Sequence, residues 1–149
     1  MGLKERLQSD LTESIRRRDE ITSGTIRMVL TAITMEEVSG KSARQLSDTE
    51  IITVLSREAK KRREAAEAFE AGSRLDRAAL ERSEGEIIAQ YLPAQLSEGE
   101  LLEMINQAIV ETGAAGPSGV GLVMKVLAPK IAGKADGGVV SAAVKAALA

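Results

Sequence analysis

The sequence predicts an all-α chain: an N-terminal helical part, built as a hairpin or bundle, followed by a small C-terminal three-helix lobe. Three observations lead there. Apolar residues recur at helical spacing through most of the 149 residues. Phe69 and Tyr91 are the only aromatic residues, so a core must come from Leu, Ile, Val, Ala and Met, as in helix bundles and unlike sandwiches or barrels. Two segments, "LSDTEI" and "LSEGEL", read as helix starts: Ser47 and Ser97 cap the first turn, Glu50 and Glu100 bond back, and Leu46/Ile51 and Leu96/Leu101 clamp the entry.

Leu3, Leu7, Leu11 and Ile15 recur every four residues, and Ile26, Val29, Leu30 and Ile33 follow at helical spacing, giving two amphipathic helices before a "SGKSARQ" loop. The long third helix carries the stripe Ile51, Leu55, Ala59, Ala66 and Phe69, and the same spacing turns Arg62 inward. Gly72 is its stop and Ser73 the next candidate cap. A fourth helix runs through Leu80, Ile87 and Ile88 toward Tyr91 and ends before Pro93, which has no N–H for the next helical bond. Residues 92–97 form the linker, dividing an N-terminal domain, 1–93, from a C-terminal domain, 94–149. The latter opens with an acidic helix containing Glu98, Glu100, Glu103 and Glu111. After "GAAGPSG" come two short helices, with Val120, Val123, Met124 and Leu127 on one and Val140, Ala143, Val144 and Leu148 on the other.

Composition removes several chemistries. The chain has neither cysteine nor histidine, so thiolate nucleophiles, disulfides and the usual general base and metal ligand are missing, and no metal or cofactor is expected. A Walker loop would need glycine at Ala128 and Ser or Thr at Ala135; a dinucleotide fingerprint would need glycine at Met124. Glu36, Glu37, Glu81, Glu84 and Glu86 read as polar-face residues serving solubility and i,i+4 pairing. The N-terminal stretch lacks the apolar core of a signal peptide, and no apolar run could span a bilayer, so the expected location is cytoplasmic, with no membrane partner.

The remaining candidates are cations. In "REAKKRREAAE", Lys60/Glu64 and Arg63/Glu67 are spaced for surface pairs, while Arg57, Lys60 and Lys61 form a possible secondary anion site. Arg62 reads either as a structural ion pair between helices or as a ligand-binding arginine in a cleft, and Arg27, beside Ile26, could share either role. From Gly113 onward the formal charge is +3, from Lys125, Lys130, Lys134 and Lys145 against Asp136 alone. The stretch "PKIAGKADGGVV" breaks the apolar pattern there, with Asp136 as N-cap and Gly137, Gly138 and Val139 as first turn. Lysines beside glycine let a sugar–phosphate backbone approach the main chain, but a solvated lobe fits the same residues.

"LSREAKKRREAAEAF", "SRLDRAALERSEGEIIAQYLPAQLSEGEL" and "GLVMKVLAPKIAGKADG" resemble the YqeY family, whose C-terminal lobe is similar to the tail domain of GatB, a subunit of the glutamine-dependent Asp-tRNA/Glu-tRNA amidotransferase. The resemblance covers nearly the whole chain in order. It implies a tRNA connection, and by position it makes Lys125, Lys130, Gly133, Lys134 and Gly137 nucleic-acid-binding candidates. The implied role is a tRNA-binding or tRNA-amidotransferase-associated accessory protein without its own catalytic centre. Amidotransferase subunits or the aminoacyl-tRNA synthesis machinery are possible partners. Two alternatives stand beside it: an amidotransferase-like carbon–nitrogen ligase using glutamine as amide donor, and a helical protein-interaction module. The ligase would need an amidase nucleophile with its base and an ATP–Mg site, and neither signature occurs here. Ala65 departs from the serine common after the long-helix arginine, and Val120 from the methionine common before the glycine.

Overall fold

The computed structural model describes residues Gly2–Ala149, and within them the chain is helical throughout, without a strand. Seven α-helices follow in order: α1 (Leu3–Arg16), α2 (Glu20–Glu37), α3 (Asp48–Ala71), α4 (Leu75–Ala89), α5 (Glu98–Thr112), α6 (Val120–Ile131) and α7 (Gly137–Leu148), with a turn of 3-10 helix at Pro117–Gly119. They form two compact units that meet in sequence between Leu92 and Pro93. No helix among the described residues is long and apolar enough to cross a membrane.

The N-terminal unit gathers α1 to α4 around Leu7, Ile26, Val29, Ile33, Ile51, Val54, Leu55, Ile88 and Tyr91. Helix α3 is twice as long as that core needs. Its first half supplies Ile51, Val54 and Leu55; its second half faces α4, where the buried residues are small, Ala66 and Ala78. Gly85 belongs to this approach, since a Cβ there would stand 3.7 Å from the Arg62 Cβ. Ile15 departs from the expected stripe. It is 48% exposed, because α1 has passed the core by its last turn.

The helix ends show what local chemistry decides. Ser47 forms the expected capping box, its Oγ accepting from the Glu50 amide at 3.2 Å while the Glu50 Oε1 accepts from the Ser47 amide at 3.4 Å. Ser97 caps α5 likewise at 3.1 Å, but Glu100 bonds its hydroxyl instead of its amide. Asp19 caps α2, accepting from the amide and hydroxyl of Thr22. Ser73 is not the cap of α4. It takes a left-handed conformation, φ 61°, in the turn that closes α3, where the Arg74 amide reaches the Phe69 carbonyl at 2.7 Å, and Arg74 occupies the capping position.

The C-terminal lobe packs α5, α6 and α7 around Leu101, Ile105, Ala108, Val123, Leu127, Ile131, Val140, Val144 and Leu148, with Leu96 against its edge. Gly119 permits the tight entry to α6, since a Cβ there would lie 2.8 Å from the Ala114 Cβ. The expected opening beginning at Pro129 is shorter than its composition suggests. Pro129 lies inside α6, where it has no N–H for the Lys125 carbonyl, and the helix continues to Ile131 before residues 132–136 turn the chain.

Candidate functional site

In the terminal lobe, α6 carries Lys130 in its last turn and ends on Ile131, α7 begins on Gly137, and the turn between them carries Gly133 and Lys134. Gly133 sits at φ 74°, a conformation that side-chain-bearing residues rarely adopt. The turn is held from within and from outside. The amides of Lys134 and Ala135 donate to the Ile131 carbonyl at 2.8 and 3.1 Å. From the chain entering the lobe, the Leu96 amide donates to the Lys134 carbonyl at 2.9 Å and the Gln95 Nε2 to the Gly133 carbonyl at 2.8 Å. Main-chain bonds therefore fix the backbone under Lys134 while its side chain stays exposed.

Lys125, Lys130, Lys134 and Lys145 are all exposed. Among the described residues none of them forms an ion pair. Helical geometry divides them. Lys125 and Lys130 are five residues apart, so they point about 140° apart around α6. Lys125 projects from the side opposite the buried Val123, Leu127 and Ile131. Lys130 and Lys134 are the pair that flanks the turn, and Lys145 lies in the last turn of α7, at its other end. Asp136 occupies the N-cap position as expected, yet its side chain makes no capping hydrogen bond, so the first-turn amides of Gly137, Gly138 and Val139 are not capped by it.

The cations of the N-terminal unit are placed differently. Arg57 lies 3.6 Å from Glu36, and Lys61 lies 3.1 Å from the buried Glu58. The two line a shallow groove between α2 and α3 with Ala32, Met35 and Val54 as its apolar floor. Lys60, the third member of that group, is half-buried on α3. Arg62 reaches across to α4, its Nε 3.5 Å from Glu81 and its Nη1 3.4 Å from Glu84, all three side chains about one-fifth exposed. Between its two readings, the geometry is that of an interhelical ion pair. Arg27 is exposed and lines two surface cavities along α2. Arg63 and Glu67 do not form the surface pair that their spacing allows.

Glu36, Glu37, Glu81 and Glu84 are not simply solubilising, as their polar-face positions suggested. Each meets a cation from another helix. The Lys4 ammonium donates to both Glu37 oxygens, at 2.8 and 3.1 Å, and this bond holds the carboxyl below the usual glutamate range. A further cluster was not visible in the sequence. The Tyr91 hydroxyl donates to Asp10, and the Arg6 guanidinium lies over the Tyr91 ring at 4.7 Å. Burial, and then the Asp10 carboxylate, push the phenol well above its ordinary value. Tyr91 thus pins the end of α4 to α1, from a sequence distance of 81 residues. Among the described residues no three of His, Cys, Asp and Glu are gathered as a metal ion would need.

An uncharacterised protein of Schizosaccharomyces pombe (strain 972 / ATCC 24843) is similar, at 30% identity over 92 residues, which cover 61% of this chain and 72% of that protein. The family described as Yqey-like protein matches residues 4–148, through both units and every helix but the outermost residues. The chain belongs to the Yqey-like protein family.

Proposed function

We propose that this protein is a non-catalytic accessory protein that binds tRNA through the α6–α7 turn of its terminal lobe. One observation carries the reading: Lys130 and Lys134 are exposed and, among the described residues, without ion pairs, beside a turn whose backbone is already fixed by Gln95 and Leu96. Fixed main chain under exposed ammonium groups suits a phosphate backbone, which is met by charge and shape and not by base edges. No aromatic residue lies beyond Tyr91 to stack on a base. The lobe also has no arginine, so its cations are all point charges. Specificity for tRNA would rest on shape and on the resemblance of this lobe to the GatB tail.

The test is tRNA binding measured against salt concentration. Lys130→Glu/Lys134→Glu should weaken binding and lower the salt slope by about one per lysine removed, with the melting temperature unchanged. Unchanged affinity and slope would remove the assignment.

A second reading, as a helical protein-interaction module, is favoured by the aliphatic side chains that the lobe exposes at Leu102, Val110, Leu122 and Val139. Amidotransferase subunits retained by the full chain after nuclease treatment would support it. The carbon–nitrogen ligase alternative predicts ATP- and glutamine-dependent amide formation by the purified protein. No product beside a working positive control would remove that alternative.

A further inference from the structure

We infer that the corner joining α1 to α2 is a second anion site, which holds the phosphate of a nucleotide unit between the guanidiniums of Arg18 and Arg27, with Ile15 as an apolar wall. It stands in the N-terminal unit and does not rest on the lysines of the lobe. Ile15, Arg18, Glu20, Ser23 and Arg27 line one cavity there.

Both arginines are exposed, and among the described residues neither forms an ion pair. Arginines in the last turn of a helix have a structural explanation, because they face its negative end. That covers Arg16 and Arg17; it does not cover Arg27, which stands in the middle of α2, nine positions beyond Arg18, yet on the same cavity. Arg18 is itself out of place. It adopts φ 59° in the turn where its amide donates to the Ile15 carbonyl at 3.1 Å and the next amide donates to Ser14 at 2.9 Å. Glycine suits that conformation best, and an arginine there is held at a cost in backbone energy.

The nearby polar groups are already committed. The Ser23 hydroxyl donates to the Asp19 carbonyl at 2.8 Å and meets the Ser14 hydroxyl at 2.9 Å, both serines being buried. Asp19 uses its two carboxylate oxygens on Thr22. The corner is thus rigid, and the aspartate that could neutralise the guanidiniums is turned to the helix cap. Glu20 is the opposing charge, on the rim of the same cavity. Its presence weakens the site and gives the proposal a signed test. Ile15, at 48% exposure, offers the apolar face that a sugar or base needs and a free phosphate does not use.

The test uses the full chain with three probes, pyrophosphate, AMP and tRNA, followed by titration calorimetry and by the side-chain NMR signals of the arginines. Arg18→Gly/Arg27→Gln should weaken both AMP and pyrophosphate by about tenfold or more. Arg18→Gly should at the same time raise the melting temperature, which separates lost binding from lost folding. Glu20→Gln should tighten binding. In the Lys130→Glu/Lys134→Glu protein, AMP binding should persist. The inference is overturned if the arginine double variant binds all three probes as the wild type does, or if the lobe variant alone abolishes AMP binding; the second outcome leaves the lobe reading intact. A response to tRNA without one to AMP or pyrophosphate, lost in the arginine variant, would assign the site to the RNA backbone. A response to AMP without one to tRNA would assign it to a free nucleotide.

Discussion

In the N-terminal unit, ion pairs run from helix to helix: Lys4 to Glu37, Arg57 to Glu36, Arg62 to Glu81 and Glu84, and Arg82 to Glu70. In the terminal lobe, a core of nine buried aliphatic residues holds three helices, and the four lysines stand in solvent without ion pairs among the described residues. The difference follows from helix geometry. The α3–α4 hairpin extends past the aliphatic core, so its outer half has little apolar surface to bury and is tied by Arg62, by Arg82, and by Arg77 over the Phe69 ring at 5.5 Å. The lobe helices each contribute buried aliphatic residues to one shared core. The contrast teaches that charge density is a poor guide to a binding surface here: the most cationic segment, "REAKKRRE", is largely occupied by structure, whereas the sparse lysines of the lobe are available.

The comparison can be broken most forcefully at the two cores. Leu127→Ala in the lobe and Leu55→Ala in the N-terminal unit should each cost about 2–5 kcal/mol. Hydrogen exchange should show protection falling first in α5–α7 for the former and in α1–α4 for the latter. Next comes the ion pair that holds the outer hairpin. Arg62→Ala leaves two glutamates, about one-fifth exposed, facing each other without a cation, and should cost roughly 2–3 kcal/mol; Glu81→Gln/Glu84→Gln added to it should restore most of the loss. Chemical denaturation of the three proteins checks both.

Tyr91→Phe removes one hydroxyl donor to a carboxylate and should cost about 1–2 kcal/mol by the same assay. The folded-state phenol is raised above its unfolded value, so its contribution is full below the ordinary tyrosine range and is lost as pH rises through the folded value. The wild type should therefore lose stability relative to the Phe variant only in strong alkali. The smallest effect is expected at Glu37. Its carboxyl is lowered by Lys4, so its contribution is present above the unfolded glutamate value and disappears as pH falls through the lowered one. The melting temperature of Glu37→Gln should decline less steeply toward acid than that of the wild type.

Much of the fold was legible because it is written in short-range patterns. The stripes Ile26–Val29–Ile33, Val123–Leu127 and Val140–Val144–Leu148 all face cores, and both serine caps form. Misreadings came where two local rules compete. Ser73 is a good cap by composition, but the left-handed end of α3 claimed it; Pro129 ends helices as a rule, but two further residues fit before the turn. What could not be read was long-range. The Tyr91–Asp10 bond and the Lys4–Glu37 pair join positions that no periodicity relates, and the arginine corner needed the left-handed Arg18 to be seen beside Arg27. For the candidate interface, the sequence identified the lysines and glycines, but the bracing of their turn by Gln95 and Leu96 comes from the fold. Gln95→Ala should accordingly weaken tRNA binding with the salt slope unchanged, since it loosens the turn and removes no charge.

The claim on which this account rests is that cations held in pairs serve the fold and the unpaired lysines of the lobe serve binding. It is tested most directly by measuring tRNA affinity over a salt series, together with melting temperature, for Lys130→Glu/Lys134→Glu and for Arg57→Gln/Lys61→Gln. The lobe variant should lose affinity and salt slope at constant melting temperature, and the α3 variant should lose melting temperature at constant slope. The reverse pattern, with the slope falling only when Arg57 and Lys61 are changed, would contradict it.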